Sequence, residues 1–403
     1  MNLLTISKSI NAKSSTHHLI TPSTQLPLIT NRLAVSSFFF ISGFLYANWI
    51  SRLPEIQHLY HVSNAQLGTL LLCSAMGAIL SMPFSGLLTV RFGSKILTAA
   101  MGIIFCLVVP GLALFTNFWM VATLFFLIGS FSGALDVSMN GQAVYVERLY
   151  RKPIMSSFHA VFSVGMALGA GVGALFAKFH IGLFAHFLSG AVFCFLLALW
   201  ASFHLVNETN TEALNTKGKS GFRLPTKAIL PLGIIAFCGM TGEGSMGDWS
   251  AIYMNKVVGK DAAFSALAFV SFSAAMTIGR ILGDSVIEKL GSGRMLRYNI
   301  LAAIAGLSLM LLFPSPYIVL AALFLMGLGI ATTVPILYSA AGNTSGVAPS
   351  VGIAMASTVG YAGFFVGPPV IGYLADAFSL RIGLVFPLIL FVAMLLLARW
   401  VRL

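Results

Sequence analysis

Charged residues are scarce in this sequence, at 8% of 403 residues, and acidic residues are the scarcer kind, with 11 Asp and Glu against 23 Lys and Arg. Soluble domains carry about 25% charged residues, so the composition excludes a soluble globular chain. Hydrophobic residues make up 58% of the sequence, and the mean hydropathy is +0.93. Apolar runs of about 20 residues, the length of a membrane-spanning helix, recur from one end to the other. The sequence therefore predicts a polytopic helical membrane protein.

Cysteine and the common catalytic motifs are also scarce or missing. The four cysteines lie in apolar runs without CxxC or Cys/His spacing, which argues against a disulfide framework or a metal site. There is no GxxxxGK[ST] phosphate loop, no GxSxG and no HExxH. An ATP-driven pump and a membrane hydrolase are therefore disfavoured. We expect no enzyme activity, no metal and no cofactor.

Twelve apolar runs separated by polar breaks predict twelve membrane helices, and the longest break divides them six and six. We predict a flexible cytoplasmic tail over 1–31, a six-helix bundle over 32–203, a cytoplasmic linker over 204–227 and a second six-helix bundle over 228–403. The halves resemble each other at a shift of about 200 positions, as expected of transporters with internal repeats.

The net charge of +12 follows the topology of the chain and does not suggest nucleic acid. With the N-terminus in the cytoplasm, 17 basic residues fall on the inner side and 5 on the outer side, and Arg280 lies within a helix. Since Lys and Arg collect in cytoplasmic loops, we predict that both termini are cytoplasmic. The expected partners are the lipid bilayer, a small-molecule substrate and protons; no nucleic acid and no second copy of the chain are expected.

The stretch from Gly239 to Tyr253 combines glycines with two acids inside an apolar run. Carboxylates at membrane depth are costly unless they face a partner or a watery cavity. The two acids, Glu243 and Asp248, are five residues apart and point in different directions on a regular helix. We therefore predict a break or a bend at Gly244 or Gly247 that turns Glu243 toward a central cavity; the alternative is that the glycines only allow close helix packing.

On the fourth predicted helix, Asp136 and Asn140 lie on one polar stripe, which indicates a cavity-facing side. Asp136 is a candidate proton carrier, the alternative being an acid that pins two helices by hydrogen bonds. Glu147 is predicted to be a solvated loop acid. Arg280 and Asp284 are four residues apart on the eighth helix and are predicted to pair along it.

Two tryptophans occupy matching positions in the halves, Trp49 after Asn48 and Trp249 after Asp248. Anchoring at the membrane interface competes with a role in the substrate cavity, and their symmetric placement favours the cavity. His159 and His186 lie within membrane helices, where hydrogen bonding between helices and proton transfer are both open to histidine.

The loop after the second helix, Gly86-Leu-Leu-Thr-Val-Arg-Phe-Gly-Ser-Lys95, resembles the signature of the major facilitator superfamily, with Val90 at the usual position of an Asp. A second copy, from Asp284 to Gly291, keeps the acid and the base. The resemblance covers residues 32–403 and implies an all-α membrane fold of twelve transmembrane helices in two pseudo-symmetric six-helix bundles that rock in alternating access. It implies these gating residues: Arg91, Gly93, Glu288, Lys289 and Gly291. The spacing of Arg280 and Asp284 adds a pair that either gates or only neutralises charge.

Within the superfamily, the segments around Asn48, Asp136 and Glu243 are similar to a bacterial group near the fucose-permease-type sugar/proton symporters. This similarity implies a multi-pass protein of the bacterial inner membrane that moves a sugar-like solute by proton-coupled symport. The expected proton-coupling residues are Asp136 and Glu243. The expected substrate cavity contains Asn48, Trp49, Asn140, Asp248 and Trp249. Drug/proton antiport and a non-transporting membrane sensor with a carrier fold are the alternatives.

Overall fold

The computed structural model describes residues 22–62, 64–207, 225–260, 262–399 and 401. Every regular element within these residues is helical. The helices are α1 (Pro22–Ile50), α2 (Leu53–Tyr60), α3 (Asn64–Phe92), α4 (Ser94–Val108), α5 (Phe118–Tyr150), α6 (Met155–Lys178), α7 (Leu183–His204), α8 (Leu230–Lys256), α9 (Ala262–Leu290), α10 (Ser292–Leu312), α11 (Pro316–Ile330), α12 (Thr333–Gly342), α13 (Pro349–Ala377), α14 (Leu380–Gly383) and α15 (Val385–Leu397). A 3-10 turn, Val109–Ala113, extends α4.

Eleven stretches of the described chain are long and apolar enough to cross a membrane. The pairs α11–α12 and α14–α15 each form one such stretch. Helix α8 is the twelfth: its 27 residues reach about 40 Å at 1.5 Å per residue, although its two acids lower its hydropathy. The prediction of an all-α membrane protein with twelve spanning helices is confirmed.

The helices form two bundles, α1–α7 and α8–α15, with one hydrophobic core centred on each. The first core also includes Met240, Val334, Tyr338 and Ile353 of the second bundle. In the first bundle α1 packs on α6 and α3 packs on α5; in the second, α8 packs on α13 and α9 packs on α11. The same neighbours therefore recur in both halves. This arrangement agrees with the repeat read from the sequence.

Glycines permit the closest of these packings. Gly165 and Gly169 of α6 lie against the backbone of Phe40 and Phe44 in α1, and Gly363 of α13 lies against the backbone of Phe237 in α8. A side chain at any of these three positions would collide with the neighbouring backbone. The glycine-rich face of α6 therefore makes the contact with α1, and the glycine-rich face of α13 makes the equivalent contact with α8.

Two segment boundaries differ from the sequence predictions. Helix α1 begins at Pro22, within the predicted tail, and the Asn31 side chain donates a 2.7 Å hydrogen bond to the His204 carbonyl at the end of α7. The polar residues before the first apolar run are thus held to the bundle. Residues 1–21 of the predicted tail and residues 208–224 of the predicted linker lie outside the described residues.

Helix α8 is continuous through Gly244 and Gly247, so the predicted break is wrong. Gly242 lies against the ring of Phe391, and Gly244 lies against the ring of Phe364. Gly242 and Gly244 are therefore used for close packing with α15 and α13. Gly247, by contrast, is exposed, and a Cβ added there would have no heavy atom within 4 Å apart from those of its chain neighbours and of the helix backbone.

Candidate functional site

The two bundles are joined by hydrogen bonds around the start of α6. The backbone N–H groups of Ile154 and Met155 both donate to Glu147 Oε2 at 2.9 Å. The N–H groups of Ser156 and Ser157 donate to Asp284 Oδ1 and Oδ2 at 2.8 Å. Carboxylates at a helix N-terminus satisfy otherwise unpaired N–H groups and oppose the positive end of the helix dipole. We call this region, where α5 ends and α6 begins, the latched end.

Glu147 also accepts a hydrogen bond from the Ser339 hydroxyl of α12 and is 9% exposed. The prediction that Glu147 is a solvated loop acid is therefore wrong. The position of Glu147 could not be predicted from sequence spacing. Two of its partners follow a tight turn at Arg151, which has a φ of 53°, and the third lies in the other half of the chain. Glu147 thus caps α6 and reaches the second bundle at the same time.

Further contacts close the latched end. Arg148 donates to Asn343 Oδ1 at 2.7 Å and to the Gly342 carbonyl at 2.9 Å, at the end of α12. Lys152 and Glu288 form a 2.9 Å ion pair between the bundles. The latter pair is exposed, with 61% and 49% of its side chains accessible, so it stabilises the contact by only about 0–1 kcal/mol. The hydrogen bonds of Glu147, which are buried, and those of Asp284, which are partly buried, therefore contribute more to the closure of the latched end.

The predicted pair between Arg280 and Asp284 does not form. Arg280 instead donates to Glu243 Oε1 of α8 at 3.2 Å, to the Ser163 hydroxyl of α6 at 2.8 Å and to the Ala331 carbonyl at 3.4 Å. The guanidinium group presents donors in several directions, which lets one side chain join the two bundles. Asp284 is free to cap α6 because Arg280 is engaged elsewhere.

Asp136 of α5 lies near this ion pair, at the boundary of the bundles. It accepts a 3.1 Å hydrogen bond from Asn140 Nδ2 and faces the hydroxyl group of Tyr361 on α13. Tyr361 also interacts electrostatically with Glu243, and so does Tyr338 of α12. We call the set Asp136, Asn140, His159, Glu243, Arg280, Tyr338 and Tyr361 the central cluster.

Beyond the central cluster, away from the latched end, the bundles face each other across polar side chains. Tyr46 of α1, which is 41% exposed, interacts with Asp248 of α8 and with Tyr361. Asp248 is exposed. We call the boundary between the bundles at these three residues the cleft. Apart from the contact of Asp136 with Tyr361, the hydrogen bonds and ion pairs found between the bundles in the described chain involve residues 147–163, so none of them closes the cleft.

Two of the predicted cavity residues lie elsewhere. Asn48 is fully buried and forms a 2.8 Å hydrogen bond with His186 Nε2 of α7, inside the first bundle. Trp49 is 1% exposed and packs edge-on against Phe125. Neither side chain reaches the cleft, because both turn toward the neighbouring helices of their own bundle. His186 accordingly serves as a partner between helices.

The other predicted cavity residues occupy different depths. Asn140 is buried beside Asp136, and Asp248 borders the cleft. Trp249 is half-buried, and its ring atoms lie 3.7 and 3.8 Å from the position where Gly372 of α13 would carry a Cβ. Trp249 packs against the hydrophobic core of the second bundle. Of these three, Asn140 and Asp248 remain candidates for contact with a solute.

Apart from Arg280, which is described above, the predicted gating residues form three groups. Gly93 and Gly291 both have positive φ angles, 88° and 81°, at the turns from α3 to α4 and from α9 to α10; glycine adopts such angles readily. Asp284 and Glu288 contact the opposite bundle directly. Arg91 is exposed and lies over the ring of Phe92, and Lys289 is exposed on α9.

Comparison with known proteins shows the family of this chain. Residues 35–368 match the Major Facilitator Superfamily. The chain belongs to the Major Facilitator Superfamily. It is 34% identical to the uncharacterized transporter y4wD of Sinorhizobium fredii, over 88% of this chain and 94% of that protein.

Two solved structures of Major Facilitator Superfamily proteins share the fold. The chain is similar to the fucose:proton symporter FucP of E. coli in its outward conformation, with a TM-score of 0.72 and 15% identity over 91% of this chain and 97% of that one. It is also similar to the proton:xylose symporter XylE, with a TM-score of 0.77 and 12% identity over 92% and 95% of the chains. Together with the family match and the eleven apolar stretches, this likeness identifies the protein as a multi-pass membrane transporter with the fold of these symporters.

The sequence did not single out Tyr46, Ser163, Tyr338 or Tyr361 of this transporter. Aromatic and hydroxyl side chains are frequent in its apolar helices and carry no spacing signal of their own. One signal was available: Tyr361 lies in the glycine-rich face of α13, which packs on α8. In the described residues no group of three or more His, Cys, Asp and Glu side chains is placed to hold a metal.

Proposed function

We propose that this transporter couples the movement of a small, sugar-like polar solute to a proton, by alternating access. The observation that carries the proposal is the position of Asp136 between the two bundles. The described residues that interact with it are Asn140, Tyr338 and Tyr361, which are all neutral. A carboxyl group without a cationic partner in a membrane protein is suited to take up and release a proton.

The orientation of the protein follows from its basic residues. The topology predicted from the sequence assigns 17 of the 23 Lys and Arg to the cytoplasmic side, and Arg148, Arg151 and Lys152 of the latched end are among them. The positive-inside rule therefore favours the latched end as the cytoplasmic side in a bacterial inner membrane. The cleft then faces outward. The conformation is an outward-facing one, with the cytoplasmic side closed by Glu147, Asp284 and Arg148.

The central cluster connects Asp136 to a hydrogen bond between the two bundles. Protonation of Asp136 removes a negative charge that faces Tyr361, and Tyr361 also interacts with Glu243. Glu243 holds Arg280, and Arg280 holds Ser163 of the opposite bundle. A change in the charge of Asp136 therefore alters the electrostatics of a bond between the bundles. Solute bound in the cleft would favour closure on that side, and the bonds of the latched end would then open.

Uptake into proteoliposomes tests the proposal. Purified protein is reconstituted with a pH-sensitive dye inside the vesicles, and L-fucose, D-xylose and a panel of hexitols and hexoses are added outside. We expect at least one solute to acidify the interior and to accumulate when the outside is the more acidic side. Solute flux that leaves the internal pH unchanged would contradict proton coupling.

Asp136→Asn gives the matched variant, because an amide keeps the size and hydrogen bonding of the side chain but does not titrate. We expect it to lose accumulation against a gradient while exchange of solute between the two sides continues. Intact uphill transport would remove Asp136 from the coupling role. Release of preloaded solute driven by an inward proton gradient would favour antiport, and binding without any flux would favour a sensor.

A further inference from the structure

Acidic groups outnumber basic groups at the cleft and in the central cluster. They include three carboxylates, Asp136, Glu243 and Asp248, but only one guanidinium group, that of Arg280. Arg280 is already paired with Glu243 at 3.2 Å. If Asp136 carries the transported proton, as proposed above, the carboxylate of Asp248 is left without a counter-ion in the described part of the chain.

Asp248 is bordered by an aromatic ring. Tyr46 interacts with it from α1, is 41% exposed and is braced by an edge-on contact with Trp49 at 5.8 Å. A carboxylate beside an accessible aromatic ring is a favourable setting for an ammonium group, since the carboxylate supplies a charge and the ring supplies a cation–π contact. A carboxylate-bearing solute would be repelled there.

The central cluster holds unpaired hydrogen-bonding atoms. In the described chain Asn140 Oδ1 and His159 Nε2 are buried without a hydrogen-bond partner, and the two residues are 0% and 8% exposed. The ring of His159 lies 6.2 Å from the ring of Tyr338, within the cluster. Buried polar atoms are rarely left unpaired, so these two indicate a ligand that carries hydroxyl groups.

We propose that the solute is a polyhydroxylated amine whose ammonium group binds at Asp248 and Tyr46 and whose hydroxyl groups reach the central cluster. This inference rests on the proposed transport function and adds to it that the solute carries a positive charge. The two ends of such a molecule match the two kinds of unsatisfied group: the carboxylate at the cleft and the hydrogen-bonding atoms deeper between the bundles.

Three acyclic compounds with one carbon skeleton test the proposal: D-glucamine, which is cationic at pH 7, D-sorbitol, which is neutral, and D-gluconate, which is anionic. Binding to the purified full chain is measured by calorimetry at low ionic strength. We expect D-glucamine to bind about tenfold more tightly than D-sorbitol, a difference that corresponds to one modest ion pair, and D-gluconate to bind most weakly. Added salt should reduce the difference.

Asp248→Asn should raise the Kd of D-glucamine about tenfold and raise the Kd of D-sorbitol much less. Asp376→Asn is the matched control, because it removes one charge from an exposed acid near the end of α13, and it should keep the preference for the amine. Equal binding of the three compounds, no binding of any of them, or a preference that survives Asp248→Asn would overturn the inference.

The binding test and the transport test can contradict one hypothesis without contradicting the other. Preferential binding of D-glucamine without flux in proteoliposomes would uphold the charge preference and contradict the transport mechanism. Proton-coupled flux of neutral sugars, together with no preference for the amine, would uphold transport and contradict the inference.

Discussion

Glu147 of α5 and Asp284 of α9 come from opposite halves of the protein and cap the same helix, α6. Each carboxylate accepts two backbone N–H groups, Glu147 those of residues 154 and 155 and Asp284 those of residues 156 and 157. Glu147 belongs to the same bundle as α6, whereas Asp284 belongs to the other. The second carboxylate therefore turns a helix cap into a bond between bundles.

Asp284→Ala is expected to open the latched end, because two charge-assisted hydrogen bonds, each worth about 1.5–3 kcal/mol, disappear only from the conformation seen here. The reporter is Val144→Cys in a background without the native cysteines. Val144 is fully buried against Gly342, so its labelling by a membrane-impermeant maleimide from the cytoplasmic side should rise about tenfold or more.

The control for this experiment is Glu288→Gln, which removes only the exposed ion pair with Lys152. It should change labelling little, since exposed pairs contribute about 0–1 kcal/mol. Equal labelling of the Asp284→Ala variant and the parent would show that Asp284 does not hold the latched end closed.

Glu243→Gln is expected to destabilise the protein because it leaves the buried guanidinium group of Arg280 without its counter-ion. Loss of one partner of a buried pair costs about 3–5 kcal/mol, and removal of both charges should cost less. Thermal unfolding in detergent, followed by tryptophan fluorescence, compares Glu243→Gln with the double variant Glu243→Gln/Arg280→Gln. A double variant that is less stable than the single one would argue against the pair as the source of the effect.

Gly242→Ala is expected to destabilise α8, whereas Gly247→Ala is not. A Cβ at residue 242 collides with the ring of Phe391, while residue 247 has open space. Overpacking costs about 1–3 kcal/mol, and alanine in place of glycine otherwise favours a helix by about 0.8–1 kcal/mol. The unfolding midpoints should move in opposite directions. A matching shift in both variants would mean that helix propensity alone governs the two positions.

The contact between Arg52 and Glu55 predicts a pH dependence at the end of α1. The hydrogen bond from Arg52 lowers the pKa of the Glu55 carboxyl group below its ordinary value of 4.5. A lowered pKa means that the stabilisation is present above the pKa of the unfolded chain and is lost as the pH falls through the lower pKa of the folded protein.

Glu55→Gln should therefore unfold at a lower temperature than the parent at pH 7, and the difference between the two should shrink as the pH falls below about 4. Glu55 is half exposed, with 47% of its side chain accessible, so the shift should be small. A difference that is independent of pH would show that the charge of Glu55 does not contribute.

Much of the fold could be predicted from the sequence because insertion into a bilayer is decided locally. A run of about 20 apolar residues specifies a spanning helix without reference to the rest of the chain. The repeat of glycines at residues 93 and 291 likewise marks equivalent turns, since both need positive φ angles. The acid at residue 136 could be identified because a carboxyl group in an apolar helix requires an unusual environment.

The partners of the charged residues were decided by the tertiary structure. Spacing on α9 favours a bond between Arg280 and Asp284, yet each side chain finds a better partner on another helix, Glu243 for the first and the N-terminus of α6 for the second. Asn48 turns to His186 rather than to the cleft for the same reason. A sequence specifies which polar groups enter the membrane, but only the packing of the two bundles determines which donors and acceptors come within about 3 Å of each other, and buried groups take the partners that satisfy them.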